Sequence, residues 1–379
     1  MSNRTKKLEQ LALTRSAFAL LAECCRQCFA GDNPSRTIEL ANGIDWDLLL
    51  LLARRHRVQG LVAKALRRVS KIVPPAITAA LSGDASRIAA EGLVIANEAL
   101  RLSVAFTSAD IPILFLKGPS VGRLAYGNPF LKMAWDIDIL VAAEDVHKAA
   151  TVLKQLGYDS ITPSTRDVGA VVRWHLLNKE SVWRHSNGET HVELHSRLAD
   201  NPHLIPFLNV GSPQQLVDVT PGISLPTFAT AELFAYLTVH GSSSNWFRLK
   251  WITDVAGLLY AFDEAELIRF ARRSQELGAG RAPAQALLLC AALFGFPFNN
   301  AASSLGLARS WVNRWLASSA MAELSGIHSL QEPTSRRFGT LRMHITHLTI
   351  GTAWTYGPSE LYRKVHAQLY QRASVSRGQ

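Results

Sequence analysis

The sequence has few cysteines, and they do not form a zinc-binding or disulfide pattern. Only four of the 379 residues are cysteine: Cys24, Cys25 and Cys28 within one helical pattern, and Cys290 far along the chain. Cys24 and Cys28 share a helical face, but no second CxxC motif and no nearby histidine accompanies these cysteines. We therefore expect reduced, packed thiols and no zinc or redox centre.

The sequence also lacks a hydrophobic run long enough to cross a membrane. The most apolar stretch, residues 282–296, is shorter than the roughly 20 residues that a span requires and runs into a Gly-Phe-Pro sequence. Residues 1–18 contain basic side chains but no uninterrupted apolar core and no small-residue cleavage site, so we expect no secretory signal. The expectation is a soluble, cytoplasmic protein without a membrane partner.

Charged residues are scarce at 18%, and no block of lysine and arginine occurs, although the net charge is +10. Positive charge attracts nucleic acid, but it equally suits a site for a polyanionic nucleotide. Because the arginines are dispersed through helical patterns, RNA binding is left open but is not indicated. With 48% hydrophobic residues, the chain is globular and long enough for two or three domains.

Residues 112–141 have the pattern of two buried strands joined by a short helix. Residues 113–116 are apolar and run into Lys-Gly-Pro, as a buried strand entering a turn would. Residues 120–126 can form one or two helical turns, which a Gly-Asn-Pro sequence would stop. Residues 135–141 then predict a second buried strand.

Two carboxylates, Asp136 and Asp138, lie in that second strand and should project from the same face, because alternate side chains of a strand share a face. Their charge in an apolar strand requires compensation. A divalent cation is the natural compensator, and oxygen ligands favour Mg²⁺ or Mn²⁺. In the preceding turn, Gly118 would let a phosphate approach the backbone, and Lys117 would meet its charge. This combination is typical of a site that moves a nucleotide from a triphosphate.

These motifs resemble the nucleotidyltransferase superfamily with the DNA polymerase β-like core, and more narrowly a bacterial family of uncharacterised nucleotidyltransferases. Three departures stand out: a lysine where an arginine is usual, a tryptophan at 135 in place of a smaller residue, and Gly-Pro-Ser in place of Gly-Ser. The lysine is Lys132, and unlike an arginine it cannot make a bidentate contact to a phosphate if that residue touches substrate. The resemblance rests on Leu116-Lys117-Gly118, Tyr126, Lys132 and the strand containing Asp136 and Asp138.

A later hairpin pattern supplies a third acidic residue. Residues 171–198 are β-like, and Asn187-Gly188 is a strong turn signal. Period-two alternation places His191, Glu193 and His195 on one face of the return strand. The resemblance implies that Glu193 is the third carboxylate, completing a metal site or accepting the proton of an attacking hydroxyl, and that His195 orients the site. The alternatives are an edge strand with a polar outer face and, for His195, a cap of the strand end.

After residues 201–228, which are rich in Pro, Gly and Ser and read as a connecting loop, the chain is helical in pattern. We interpret the helix beginning near residue 246 as the far wall of a nucleotide cleft, with Arg248 or Lys250 on phosphates and Trp251 packing. The alternative is a helix with one i,i+4 ion pair between Lys250 and Asp254. The resemblance, which fades after about residue 299, matches His240, Gly241, Trp246, Arg248, Lys250, Trp251 and Asp254.

The N-terminal residues 1–108 have helical patterns throughout. Asp45 should cap one of these helices, and a dense basic cluster, residues 54–57, follows in the same helix. We favour a solvated helix face for this cluster, and the alternative is a basic wall around nucleotide phosphates.

Taken together, the patterns and the resemblance predict an α+β fold. A small mixed sheet in residues 109–200, of the polymerase β-like type, would lie between an N-terminal helical region, residues 1–108, and a C-terminal helical domain, residues 229–379.

The reaction implied is transfer of a nucleoside monophosphate from a nucleoside triphosphate to a hydroxyl group, with release of pyrophosphate. Asp136, Asp138 and Glu193 would bind two Mg²⁺ (or Mn²⁺) ions. A small molecule or peptide is the expected acceptor; the alternatives are an RNA end, such as the 3′ end of tRNA, and a catalytically inactive nucleotide-binding scaffold. The expected substrate-binding residues are Lys117, Gly118, Ser120, Lys132, His195, His240, Arg248, Lys250 and Asp254.

Overall fold

The N-terminal region of the chain is helical, as predicted. The computed structural model describes residues 3–188, 190–296, 306, 309–326, 330–336 and 338–363. Asp45 caps the third helix, its carboxylate accepting a hydrogen bond from the backbone N–H of Leu48 at 2.9 Å. The helices are α1 (Asn3–Ala30), α2 (Pro34–Ala41), α3 (Trp46–Arg55), α4 (Gln59–Leu66) and α5 (Pro75–Ser108).

A six-stranded mixed sheet follows, which confirms the α+β class. Its strand order is β1-β2-β6-β5-β3-β4, with β2 and β6 parallel and every other pair antiparallel. The elements are β1 (Leu114–Phe115), α6 (Pro119–Tyr126), β2 (Asp136–Leu140), α7 (Val146–Gln155), β3 (Tyr158–Thr162), β4 (Ser164–Thr165), α8 (Val168–Leu177), β5 (Glu180–His185) and β6 (His191–His195).

Two sequence predictions about local structure were wrong. The β-like run that begins at residue 171 starts inside α8, because the Asp167 carboxylate accepts hydrogen bonds from the N–H groups of Gly169 and Ala170 and starts a helix there. Residues 201–228 are not only a loop, since they contain a hairpin of β7 (Gln214–Thr220) and β8 (Ile223–Phe228).

The C-terminal part returns to helices. The sequence pattern predicts a helix over residues 301–321; of these the structure describes residues 306 and 309–321, which are helical from residue 311. The pattern also predicts a frayed end over residues 374–379, which lies outside the described residues. A further described helical segment covers residues 356–363. The helices are α9 (Thr230–Ser243), α10 (Leu249–Leu259), α11 (Glu264–Glu276), α12 (Ala282–Phe294), α13 (Trp311–Ser325) and α14 (Leu341–Ile350).

The buried side chains form two hydrophobic cores. The larger core, the helical core, joins α1–α4 to the C-terminal helices α9–α12. The smaller core, the sheet core, lies around β1, β2, β5 and β6. Helix α5 belongs to both, with Ile77 and Leu81 in the helical core and Leu102 and Phe106 in the sheet core. The four cysteines are free and buried, as predicted.

Within the described part of the chain, no helix combines the length and the hydrophobicity that crossing a membrane would require.

Candidate active site

The register of two parallel strands brings the predicted carboxylates together. Asp138 on β2 lies opposite Glu193 on β6, and Asp136 lies opposite His191. Because side chains two residues apart share a face, Asp136 projects with Asp138. The three carboxylates line one cleft of about 260 Å³. The pairing of β2 with β6 therefore explains how residues more than fifty positions apart reach the same cavity.

Lys117 and His195 contact the Asp138 carboxylate. Lys117 Nζ lies 2.8 Å from Asp138 Oδ1, and His195 Nε2 lies 3.1 Å from the same oxygen. Burial disfavours ionisation of Asp138, but the charge of Lys117 and the hydrogen bond from His195 outweigh it and hold the pKa of Asp138 well below its usual range. Asp138 is therefore a buried carboxylate that stays ionised.

His195 lies among three acidic side chains. Its Nε2 is 3.5 Å from Glu193 Oε2, and its Nδ1 is 3.3 Å from Glu180 Oε2, in addition to the contact with Asp138. Burial opposes a charge on the ring, yet these neighbours raise the pKa of His195. The pKa of Glu193 is also raised, by burial and by the charges of Asp138 and Glu180. His195 therefore connects the carboxylates of Asp138, Glu193 and Glu180.

The donor atoms of this group suit a divalent cation. In the described residues, one group of three or more candidate ligands has donor atoms within 4.8 Å of one another: Asp138, Glu193 and His195. Asp136 lines the same cleft but is not in that group. Because His195 Nε2 lies within hydrogen-bond distance of the ionised Asp138 carboxylate and donates to it, we interpret His195 as orienting that side chain. The carboxylates remain as oxygen donors of the kind that Mg²⁺ and Mn²⁺ prefer.

The turn after β1 places Lys117 and Gly118 in the cleft, as predicted. Gly118 has φ of 75°, in the left-handed region that favours glycine, and it is the N-cap of α6. The N-terminus of α6, with its partial positive charge, therefore lies beside the cleft. Ser120, predicted to position phosphates, does not line the cleft: it is fully buried, and its Oγ has no hydrogen-bond partner within the described structure.

Helix α10 and the end of α9 form the opposite wall. Arg248 donates a hydrogen bond to Glu332 Oε1 at 2.9 Å, whereas Lys250 forms no ion pair with any described residue. Burial and the charges of Lys132 and Arg57 lower the pKa of Lys250 to about 7. The residues that this wall contributes to the cleft are Leu237, His240, Arg248, Lys250, Trp251 and Asp254.

The predicted i,i+4 pair between Lys250 and Asp254 is not formed. Asp254 instead pairs with the buried Lys132 ammonium and accepts a hydrogen bond from the Tyr126 hydroxyl at 2.8 Å. The tertiary ion pair between Lys132 and Asp254 takes the place of the local pair between Lys250 and Asp254, because the buried Lys132 ammonium requires an opposite charge. Lys132 and Asp254 thus join α6 and the loop before β2 to α10.

His240 lies against the ring of Trp251, with ring centroids 5.3 Å apart in an edge-to-face arrangement. Burial and the charge of Lys117 hold the pKa of His240 well below its usual range. His240 is therefore a neutral residue of the cleft wall.

The basic cluster of residues 54–57 is not a solvated helix face, and the favoured interpretation was wrong. Arg55 and His56 are buried, and Arg57 lines the cleft. His56 Nδ1 accepts a hydrogen bond from the Leu249 N–H at 3.2 Å, at the start of α10. The helix ends at residue 55 and Arg57 has φ of 57°, so the side chains no longer follow the helical period.

Three further cleft residues escaped sequence prediction as site residues. Lys179 and Glu180 form an ion pair, and Glu180 lies opposite His195 in the pairing of β5 with β6. A correct start of β5 would have revealed them, but the residues before it were assigned to the same strand. The sequence marks Trp135 as a substitution before Asp136 and as the first residue of a buried strand. The second interpretation is wrong, because β2 begins at Asp136 and Trp135 lies exposed at the cleft, in the loop before that strand.

Comparison with known families gives a match that covers the whole cleft. The model of a family described as "Uncharacterised nucleotidyltransferase" matches residues 42–295, which is more than half of the chain. Every residue that lines the cleft falls within the matched segment, from Arg57 to Asp254. Comparison with curated proteins found no match.

Proposed function

The chain belongs to the uncharacterised nucleotidyltransferase family, and from that premise we propose that it transfers a nucleoside monophosphate from a nucleoside triphosphate to a hydroxyl group. The observation that carries the proposal is the composition of one cleft. Asp136, Asp138 and Glu193 stand on the sheet side, and cationic residues including Arg57 and Lys250 stand around them. Carboxylates that bind a divalent cation beside cations that bind phosphates are what this chemistry requires.

The proposed reaction forms one bond and breaks another at the α-phosphorus. The acceptor oxygen bonds to the α-phosphorus, while the bond from that phosphorus to the oxygen bridging the β-phosphorus breaks. Pyrophosphate leaves with the bonding electron pair, and the proton of the acceptor hydroxyl passes to a base. Glu193 suits this role because its carboxylate reaches the cleft and its raised pKa makes it a better proton acceptor than an ordinary glutamate. Its other proposed role is as a third metal ligand.

We propose that Asp136, Asp138 and Glu193 hold Mg²⁺ or Mn²⁺ when the substrate is bound. Such an ion supplies polarisation of phosphoryl oxygens and neutralisation of their charge. The ionised state of Asp138, maintained by Lys117 and His195, supports this assignment, because a protonated carboxyl would be a poor ligand.

The cations of the cleft are unequally available to a triphosphate. Lys132 and Lys179 are paired with Asp254 and Glu180, respectively. Lys250 and Arg57, by contrast, have no carboxylate within ion-pair distance among the residues that the structure describes. We assign the triphosphate to these two side chains, since fixed charges in a cleft stabilise the developing charge without reorganisation.

The first experiment is isothermal titration calorimetry with non-hydrolysable analogues of the four nucleoside triphosphates, with and without Mg²⁺. The Asp136→Asn/Asp138→Asn variant should lose Mg²⁺-dependent binding, because the metal ligands are gone. Asp159→Asn is the matched control, since Asp159 is an exposed carboxylate on β3 of the same sheet and outside the cleft. Undiminished binding by the double variant, or absence of binding by the unmodified protein, would contradict the proposal.

The proposed acceptor is a hydroxyl of a small molecule or a peptide. A gel shift with tRNA at two salt concentrations tests the RNA alternative, because phosphate contacts to RNA weaken steeply as salt rises. A salt-sensitive shift that unlabelled tRNA competes away would move the proposal to an RNA acceptor.

A further inference from the structure

Trp135 lines the cleft and exposes a large aromatic surface. Its side chain is 58% exposed, although it directly precedes Asp136 and lines the same cavity. Exposed hydrophobic residues are common on protein surfaces, and Trp354, outside the cleft, is 88% exposed. The position of Trp135 beside the carboxylates is what distinguishes it.

One side of the indole ring already has a cationic neighbour. The guanidinium carbon of Arg57 lies 5.6 Å from the centre of the Trp135 ring, within the range of a cation–π contact. A guanidinium above one face and a high exposed fraction together imply that the opposite face is open. An indole face open to the cleft is a surface on which another planar ring can stack.

We propose that this open face of Trp135 is the nucleobase platform of the cleft, on which the base of the bound nucleoside triphosphate stacks. The inference rests on the proposed function and adds to it a residue that distinguishes a nucleotide from a bare polyphosphate. Arg57 would contribute twice, by holding the indole from its other face and by adding positive charge beside the phosphates.

The position along the chain agrees with this role. The Cα atoms of adjacent residues are about 3.8 Å apart, so a base on Trp135 and phosphates near Asp136 lie within the length of one nucleotide. Stacking accepts every base, and its strength follows the size of the ring system. The platform therefore predicts tighter binding of purine than of pyrimidine nucleotides.

The test compares nucleotide with inorganic tripolyphosphate, both in the presence of Mg²⁺. In titration calorimetry, Trp135→Leu should weaken binding of the preferred nucleotide analogue by roughly 10-fold, within the range reported for loss of one stacked base. Binding of tripolyphosphate should change less than about twofold, which shows that the cleft is intact. Trp135→Phe should retain most of the nucleotide affinity, and Trp354→Leu serves as the control for loss of an exposed tryptophan.

Four other results would overturn the proposed platform or the proposed function. Unchanged nucleotide affinity in Trp135→Leu, or equal losses for nucleotide and tripolyphosphate, would overturn the platform while leaving the transferase proposal standing. The same holds if the unmodified protein binds tripolyphosphate as tightly as any nucleotide. If the unmodified protein binds neither ligand, the proposed function itself fails.

Discussion

The Lys250 ammonium is a cleft charge whose ionisation changes near neutral pH. Its pKa is lowered to about 7 by burial and by the positive charges of Lys132 and Arg57, against the opposing effect of Asp136 and Asp254. Below pH 7 the side chain is charged, and above pH 7 it is neutral. A bound triphosphate favours the charged form, so binding above pH 7 must take up a proton at this site.

We therefore expect nucleotide affinity to fall as pH rises from 6 to 8, by about tenfold if only the charged form of Lys250 binds. Lys250→Arg should flatten this dependence, since arginine stays charged throughout that range. Calorimetry in two buffers of different ionisation enthalpy at pH 8 measures the proton uptake directly. Lys148→Arg, at an exposed position on α7, is the control. An unaltered pH profile in Lys250→Arg would exclude Lys250 as the titrating group.

The buried pair of Lys132 and Asp254 is a second feature at the residue scale. The two side chains are 6% and 3% exposed, and Tyr126 adds a hydrogen bond to the same carboxylate. Removal of one partner leaves the other charge buried without compensation. Structure around the cleft therefore depends on this pair, whatever the substrate.

We expect Asp254→Asn to lower the free energy of unfolding by about 3–5 kcal/mol, the range for breaking a buried ion pair. Glu39→Gln, which breaks the exposed pair with Arg36, should cost about 0–1 kcal/mol. Urea denaturation of both variants measures the difference. Equal losses would show that solvent reaches the Lys132 ammonium.

At the scale of elements, α6 and α10 pack closely at one glycine. A Cβ atom added at Gly257 on α10 would lie 2.7 Å from the backbone oxygen of Ala125 on α6. A backbone atom cannot move aside as the end of a flexible side chain can, so the two helices would have to separate. Because α6 begins beside the acidic group and α10 carries Lys250, that separation would also move the two walls of the cleft.

Gly257→Ala should destabilise the protein by about 1–3 kcal/mol, as an overpacked core does. Gly83→Ala is the matched control, because Gly83 lies in α5 and an added Cβ would meet no atom within 4 Å. That control should be neutral or stabilising by up to about 1 kcal/mol, since alanine favours helix. Thermal unfolding of the two variants distinguishes them, and a stable Gly257→Ala protein would mean that the helix contact is adjustable.

The elements that could be predicted from the sequence are those with local signals. The apolar run of β2 and the Asp45 cap of α3 are such signals, and the strand period places Asp136 and Asp138 on one face. The assignment of Glu193 as the third carboxylate depends on the family resemblance. Helix α8 was mistaken for a strand because its Val-Val-Arg-Trp segment has strand-forming residues, and only the Asp167 cap opposes that pattern. The pairing of Lys132 with Asp254 joins residues 122 positions apart, which no local pattern reports. The same applies to Arg57, whose place in the cleft depends on a backbone turn and a distant helix.

At the scale of the whole molecule, the N-terminal helix α1 is part of the same core as the C-terminal helices. Its residues Leu20, Leu21 and Cys25 are fully buried, and α1 packs against α10 and α12. The position of α10, and of the Lys250 side chain on it, therefore depends partly on α1, whose residues precede the family match that begins at residue 42. Loss of packing in α1 should therefore displace α10 and the cleft residues that α10 carries.

We expect Leu21→Ala to cost about 2–5 kcal/mol of unfolding free energy, as other buried leucine truncations do. Leu13→Ala, on the same helix but 42% exposed, should change it by less than about 0.5 kcal/mol. Chemical denaturation measures both. Similar small losses would show that α1 contributes little to the helical core.

The cleft has three walls of separate origin: Arg57 between two N-terminal helices, the carboxylates on the sheet, and Lys250 on a C-terminal helix. A gene fragment that encodes only the sheet would thus carry the three carboxylates without Arg57 and Lys250. Such a fragment would lack the two side chains that we assign to the triphosphate, so recombination that moved only the sheet would not transfer the whole proposed site. A recombination breakpoint anywhere between residues 57 and 254 would separate residues that line the cleft, so the complete site passes to another protein only with that whole segment.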